Sequence, residues 1–474
     1  MSSPRSWAWV AAALWISVPQ FAAAQSTDAY FEFLQARRLE ADGDPKGALA
    51  ALERAATADP KSAEVRAEIA SLHLRRNEQA DAEKAAKAAL ALDETNVEAN
   101  RALGLLYAGV VDRATERSPS AQTATALKDA IMYLERAVAG AGVTADANVQ
   151  FQLGRLYIRN GTPDKAIQTL MRVVAQNPNA VQGRLALAQA FAANKDLKSA
   201  INVLDEILED EPRVAPALAQ YQEDAGLFKE SADTLTLALA VQPNSRDLKV
   251  RRIAVLMEAK DYAKAAGFAG DARKQHPDDP RFARLQGRAL FDSGDKSAGI
   301  SVLESAIKTF PKDTNTLFTL ADVYADAGRS TEAERSLRQL LATEPNNASA
   351  LNYLGYLLAS RGDRPEQLDE AVRLVQKALE AEPENGAFLD SLGWAYFRKN
   401  DLDNAEKYLK SAAQKLPENS EVQDHLGDLL AKRNRWSDAI ASWNKALAGD
   451  GQDVEKAAIE KKISNAKGKV QNAK

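Results

Sequence analysis

Prolines punctuate this chain at a nearly constant interval: Pro178, Pro212, Pro243, Pro277, Pro311, Pro345, Pro383 and Pro417, with most steps 34 residues long. A small residue recurs twelve places before each closing position: Ala48, Ala82, Ala130, Ala166, Ala200, Ser231, Ala265, Gly299, Ala333, Ala371, Ala405 and Ala439. A second small register lies about twelve places further upstream, where Gly104, Gly154, Gly287, Gly355, Gly393 and Gly427 alternate with Ala36, Ala70, Ala188 and Ala321. Two small positions one hairpin apart let two helices approach closely. Proline cannot continue a helix and forces the chain into the next turn. Asp, Asn and Gly cluster between the helices, as in Asn160-Gly161-Thr162-Pro163-Asp164 and Asn400-Asp401-Leu402-Asp403. There they cap helix starts and supply positive φ. The expectation is an all-α array of about twelve stacked helical hairpins, since 474 residues exceed what one compact core holds. Tyr107, Tyr157, Phe191, Tyr324 and Tyr396 lie between the two small registers, where each is expected to wedge into the gap the small residues leave.

These residues carry a resemblance to the tetratricopeptide repeat, whose pattern is Trp-x2-Leu-Gly-x2-Tyr, Ala-x3-Phe and Ala-x4-Pro. Leu392-Gly393, Tyr396, Ala405, Leu409, Ala412 and Pro417 match it in one unit. The resemblance implies a right-handed α-solenoid running from about Ala29 to Gly451, with protein or peptide partners held in a concave groove. The groove places of the family, transferred to this chain, fall on Asn352, Tyr356, Asp390, Trp394, Phe397, Arg398, Asp424, Asp428 and Lys432. A second stretch supplies Arg281, Arg284, Arg288 and Phe291; the three arginines form either an anion cradle or a face neutralised by Asp278, Asp279 and Asp292. The paired Lys and Asn of a carboxylate clamp are represented by Asn352 alone, which argues against capture of a C-terminal carboxylate tail. Asn352 to Tyr356, Leu389 to Trp394 and His425 to Asp428 are also similar to the C-terminal units of bacterial envelope repeat proteins. One of these is a lipoprotein adaptor of a carboxy-terminal processing protease; this chain has no cysteine and hence no lipobox.

Three irregularities interrupt the period. Fourteen extra residues separate Tyr107 from Ala130 around Arg117-Ser118-Pro119-Ser120, read as an extended loop near 111–127, lengthened helix ends, or a docking hinge. The unit 213–243 is three residues short, a possible kink between an N-terminal array (25–212) and a C-terminal one (244–451). Four residues are added at Arg361-Gly362-Asp363-Arg364-Pro365-Glu366, a helix-ending turn and not an adhesion motif. Residues 452–474 read as a polar capping helix, Val454 to Lys467, with a fraying tail from Gly468.

The first 24 residues differ from the rest. Arg5 precedes an unbroken apolar run from Trp7 to Val18, and Ala22-Ala23-Ala24 follows, the plan of a secretory signal cleaved after Ala24. As a helix the run spans about 18 Å, short of the roughly 30 Å hydrocarbon core. The expected location is therefore the periplasm, with no transmembrane span in the mature chain. The net charge of −5 leaves no footprint for nucleic acid. The absence of cysteine removes thiolate chemistry, and His73, His276 and His425 stand apart without metal-ligand spacing. No nucleophile elbow or phosphate loop is present. Asp424 and Asp428, four residues apart on one helix face, have the spacing to share a proton, but helix surfaces carry such pairs commonly. The chain is expected to have no catalytic site, cofactor or metal. Its expected role is that of a scaffold or adaptor for other proteins, recruiting an envelope protease or assembly machinery, or serving envelope polysaccharide or cell-wall synthesis.

Overall fold

The structure is a computed structural model that describes residues 27–114, 120–142, 146–362, 364–451 and 454–472. The first 24 residues, expected to be a secretory signal, the Arg117-Ser118-Pro119 stretch, Asp363 and the last two residues lie outside these. Among the described residues there are 25 α-helices and no strand. Two compact units divide at Val241–Gln242.

The first unit holds six helical pairs: α1 (Thr27–Ala41) with α2 (Pro45–Ala58), α3 (Ala63–Arg75) with α4 (Gln79–Leu90), α5 (Val97–Arg113) with α6 (Ala121–Ala141), α7 (Ala147–Arg159) with α8 (Pro163–Gln176), α9 (Val181–Ala193) with α10 (Leu197–Asp205), and α11 (Ala215–Asp224) with α12 (Phe228–Val241). The second holds six more: α13 (Arg246–Glu258) with α14 (Tyr262–Gln275), α15 (Pro280–Asp292) with α16 (Lys296–Thr309), α17 (Thr314–Asp326) with α18 (Ser330–Thr343), α19 (Ala348–Arg361) with α20 (Pro365–Ala381), α21 (Gly386–Arg398) with α22 (Leu402–Lys415), and α23 (Ser420–Lys432) with α24 (Trp436–Ala448). A last helix, α25 (Lys456–Asn472), packs on α24.

Local chemistry explains the boundaries. Ser62, Asn96, Asn347, Asn385 and Asn419 each turn a side-chain oxygen onto a backbone N–H in the first turn of the helix that follows. Such a cap is worth about 1 kcal/mol. The second helix of most pairs ends one residue before its C-cap, which is followed by proline; Asn177, His276, Phe310, Glu344, Glu382 and Leu416 take extended-side ψ values there because a following proline disfavours the α region. In ten of the twelve pairs the intervening turn holds one left-handed residue: Gly43, Asn77, Gly161, Lys195, Gly226, Lys260, Gly294, Gly328, Asn400 or Asn434. The remaining two pairs are those with inserted residues. There the added chain is largely absorbed by longer helices: 17 and 21 residues in α5 and α6, and 17 in α20. Arg361 ends α19, and Gly362 follows as its C-cap.

The small registers pack as anticipated, but a different residue fills the gap. A Cβ at Gly154 would collide with Leu170, one at Gly287 with Leu303 and one at Gly393 with Leu409; Gly104, Gly355 and Gly427 stand in the same relation to Leu134, Val375 and Trp443. In every case the intruding side chain belongs to the second helix, four residues after its small position, and is buried. The tyrosines expected in that gap reach instead to the preceding pair: the Tyr157 hydroxyl donates to Glu135 at 2.6 Å and Tyr324 to Glu304 at 2.6 Å. A phenol needs a partner for its hydroxyl, and the apolar gap offers none.

Helix α25 also departs from expectation. It continues past Gly468 to Asn472, and it is more than a solvating cover: Ile459, Ile463 and Ala466 are buried against Leu429, Leu430 and Trp443.

Candidate functional site

The first helices of the last three repeats, α19, α21 and α23, stand side by side in the second unit. At their centre is His425 of α23, almost fully buried, although nothing in the repeat pattern calls for a histidine there. Its ring stacks on Trp394 of α21 at 4.0 Å and 15°, and Trp394 stacks in turn on Phe397 at 5.0 Å. His425 Nδ1 lies 2.8 Å from Asp390 Oδ2, while its Nε2 is 3.9 Å from Glu421. The Tyr356 hydroxyl on α19 donates to the same Glu421. Three helices from three repeats are thereby tied through one imidazole.

The electrostatics follow from this packing. Burial by itself would depress the His425 pKa; the charge and hydrogen bond of Asp390, helped by Glu421 and Asp424, outweigh it and raise the pKa above the ordinary value. Burial pushes the Tyr356 phenol up, and Glu421 beside it adds to the shift. Because the folded-state pKa of His425 is raised, its stabilising contribution is complete below about pH 6.5 and is lost as pH rises through the elevated value. The second unit should therefore melt lower at pH 9 than at pH 6. His425→Gln should flatten that slope; thermal melts of both chains at the two pH values measure it.

Asp390, Tyr356, Trp394 and Phe397 are thus brought together, with Asn352 of α19 beside them. Other residues expected on the same lining have different engagements. The Arg398 guanidinium donates to the carbonyls of Ser360 (2.6 Å) and Gly362 (3.2 Å), satisfying the C-terminal end of α19. Asp424 and Asp428 are both held by Lys462 of α25, at 2.8 and 2.9 Å, and the Trp443 indole donates to Asp428 at 3.2 Å. Burial raises the Asp428 pKa, with Asp424 adding to the shift and Lys462 opposing it. An ammonium between the two carboxylates, and not a shared proton, balances their charge. Lys432 is exposed, its Nζ 5.5 Å above the Phe397 ring.

The arginine stretch is largely neutralised. Arg281 pairs with Asp279 at 2.8 Å and Asp247 at 2.9 Å; Arg288 pairs with Asp292 at 2.9 Å and with Asp322. Phe291 is buried in the core and does not line a surface. Arg284 differs: its Nε is buried without a hydrogen-bond partner, and burial lowers its pKa.

A cavity of about 300 Å³ opens between α19, α21 and α23, bounded by Asn352, Tyr353, Tyr356, Phe388, Asp390 and Glu421 among others. Two of its polar atoms, Asn352 Oδ1 and Asp390 Oδ1, are buried and accept no hydrogen bond; on the same helix as Asp390, the Trp394 indole N–H is also unpaired. Glu421 stands at the second place of its unit, one of the family's groove places, so the same spacing identifies it. Nothing in the repeat marks Lys462, which lies outside the period. Among the described residues no cluster of three or more His, Asp or Glu side chains could hold a metal ion, and no helix is long and apolar enough to cross a membrane.

Comparison with known proteins agrees with the repeat reading. Residues 33–97 and 151–215 match one family profile described as tetratricopeptide repeat, and 290–359 and 364–424 match a second of the same description. Together these segments make up more than half of the chain, which belongs to the tetratricopeptide-repeat family. It is 32% identical over 177 residues to a TPR repeat-containing protein of Pseudomonas aeruginosa, covering 37% of this chain and 30% of that one. It is 30% identical over 136 residues to cellulose synthase operon protein C of Escherichia coli K12, covering 27% of this chain and 12% of the relative. The chain thus spans less than a third of either relative. Among solved structures, yeast Tom70 aligns over 94% of this chain and 96% of its own at 13% identity, with a TM-score of 0.45.

Proposed function

We propose that this protein is an exported, periplasmic scaffold that binds other proteins on the face formed by α19, α21 and α23, and so brings an envelope protease or assembly machinery to its target. The single observation behind this reading is the cavity among those helices, where buried acceptors without partners sit beside aromatic side chains. Tyrosine and tryptophan are the residue types over-represented in binding hot spots, because they bury large area at low entropy cost. Repeats of this family serve protein–protein association in general, which fits a role without chemistry of its own. The signal-like first 24 residues support export.

A second reading, a helper for envelope polysaccharide synthesis, is favoured by the similarity to cellulose synthase operon protein C. Both readings use the same face and differ in the partner.

A photo-crosslinking residue at Ala387, which is exposed at the mouth of the cavity, tests the face directly. The same residue at Gly267, exposed on α14 with no neighbour within 4 Å, serves as control. In native cells, covalent adducts are expected from position 387 and not from 267. Equal adducts from both positions, or none from 387, would sink the reading. Mass spectrometry of the adducts then separates a protease from a synthase.

A further inference from the structure

The chemistry of the cavity between α19, α21 and α23 specifies more than a generic protein contact. Its walls carry two carboxylates, Asp390 and Glu421, and no lysine or arginine lies among its lining residues. Asp390 is only 4% exposed, and its Oδ2 is taken by His425 while Oδ1 has no donor. Asn352 Oδ1, on the facing helix, is in the same position. A buried acceptor left unpaired costs about 1–3 kcal/mol, so a protein that keeps two in one small cavity presents a place where a donor is stabilised. Asp390 is already paired with His425, and the Glu421 carboxylate disfavours an anion here. Tyr353, Tyr356 and Phe388 line the same cavity, and aromatic rings attract a cation more than a neutral donor.

Resting on the scaffold reading above, we infer that this cavity receives the ammonium group of a lysine side chain presented by an extended segment of the partner. The three N–H donors of an ammonium match Asn352 Oδ1, Asp390 Oδ1 and the Glu421 carboxylate, and the lysine methylenes would lie along the aromatic walls. This is opposite in sign to capture of a peptide carboxylate.

The test is fluorescence polarisation with the full chain and two labelled pentapeptides capped at both ends, Ala-Ala-Lys-Ala-Ala and its Nε-acetyl-lysine counterpart. Acetylation removes the charge and two donors while keeping the stem, and should weaken binding at least about tenfold, in line with a charge-assisted hydrogen bond. Asp390→Asn, which can still accept from His425 but puts an amide nitrogen in place of the unpaired oxygen, should weaken the lysine peptide by a similar factor. Asn352→Leu removes the other acceptor without touching the His425 pair and keeps the test valid should the first variant melt early; it should cost about threefold to tenfold. Equal affinity for the two peptides, no binding of either, or indifference to Asn352→Leu would overturn the assignment. If crosslinking at Ala387 still yields adducts in that case, the scaffold reading survives and the lysine pocket alone fails.

Discussion

Gly299→Leu is expected to destabilise the second unit by about 3 kcal/mol or more, because the clash it makes is with backbone and not with a side chain that could swing away. An added Cβ at Gly299 of α16 would lie 2.6 Å from the Gly287 carbonyl oxygen and 2.8 Å from the Phe291 backbone nitrogen, both on α15. Ten of the twelve pairs have alanine at this position. Here glycine faces glycine, so the two helices meet more closely than one methyl group permits. The two helices would have to separate, opening the contacts of Leu303 and Phe291 to their neighbours. For a unit of this size the loss corresponds to roughly 6–12 °C in melting temperature. Gly267→Ala is the matched control: it sits exposed within α14, its Cβ would meet nothing within 4 Å, and the substitution should stabilise by about 0.5–1 kcal/mol. Thermal melts followed by circular dichroism decide between them. A Gly299→Leu chain that melts within 2 °C of the parent, on the order of instrument error, would contradict the close approach.

Asp390→Ala should have an effect of similar size. His425 is 6% exposed and depends on Asp390 for its charge partner; removing one member of a buried pair typically costs about 3–5 kcal/mol. The remaining carboxylate near the ring, Glu421, is 3.9 Å from Nε2 and already accepts from Tyr356, so it replaces little of what is lost. The imidazole should then be neutral in the folded state near neutral pH, and the fall in stability between pH 6 and pH 9 should disappear along with the absolute stability. Asp390→Asn should lose less, since its amide oxygen can still accept from Nδ1. Urea unfolding of the three chains at both pH values reads out this order. A pH slope that persists in Asp390→Ala would show that His425 is not the group responsible.

Helix spacing reveals one part of the site and hides the rest for a physical reason. Spacing on a helix places residues on a face, and it groups Asn352, Tyr356, Asp390, Trp394 and Phe397 on one lining. It does not say what a neighbouring element brings to that face. Arg398 has the right spacing, yet the exposed carbonyls ending α19 take its guanidinium, and those carbonyls lie there because inserted residues lengthened that repeat. Asp424 and Asp428 have the right spacing as well, but α25 returns over α23 and lays Lys462 between them. No spacing along the chain joins His425 to a partner; Asp390 and Trp394 reach it from a helix one repeat away.

What the sequence determined alone is therefore everything set by short-range chemistry: twelve helical pairs, their caps, their closing prolines and the small residues that let paired helices meet. Each of these is written within some 34 residues and repeated, so periodicity reveals it. What only the tertiary structure decided is which side chains from successive repeats share a volume. The small gap beside each of these glycines is filled from the second helix, by leucine at Gly104, Gly154, Gly287 and Gly393, by Val375 at Gly355 and by Trp443 at Gly427, while the hydroxyls of Tyr157 and Tyr324 reach carboxylates of the preceding pair. The stacking of α19, α21 and α23 brings Asn352, Asp390 and Glu421, far apart in the chain, around one cavity, and leaves two acceptors there unpaired. Stacking distances depend on the volume of every intervening side chain, and no local pattern in the sequence encodes that sum.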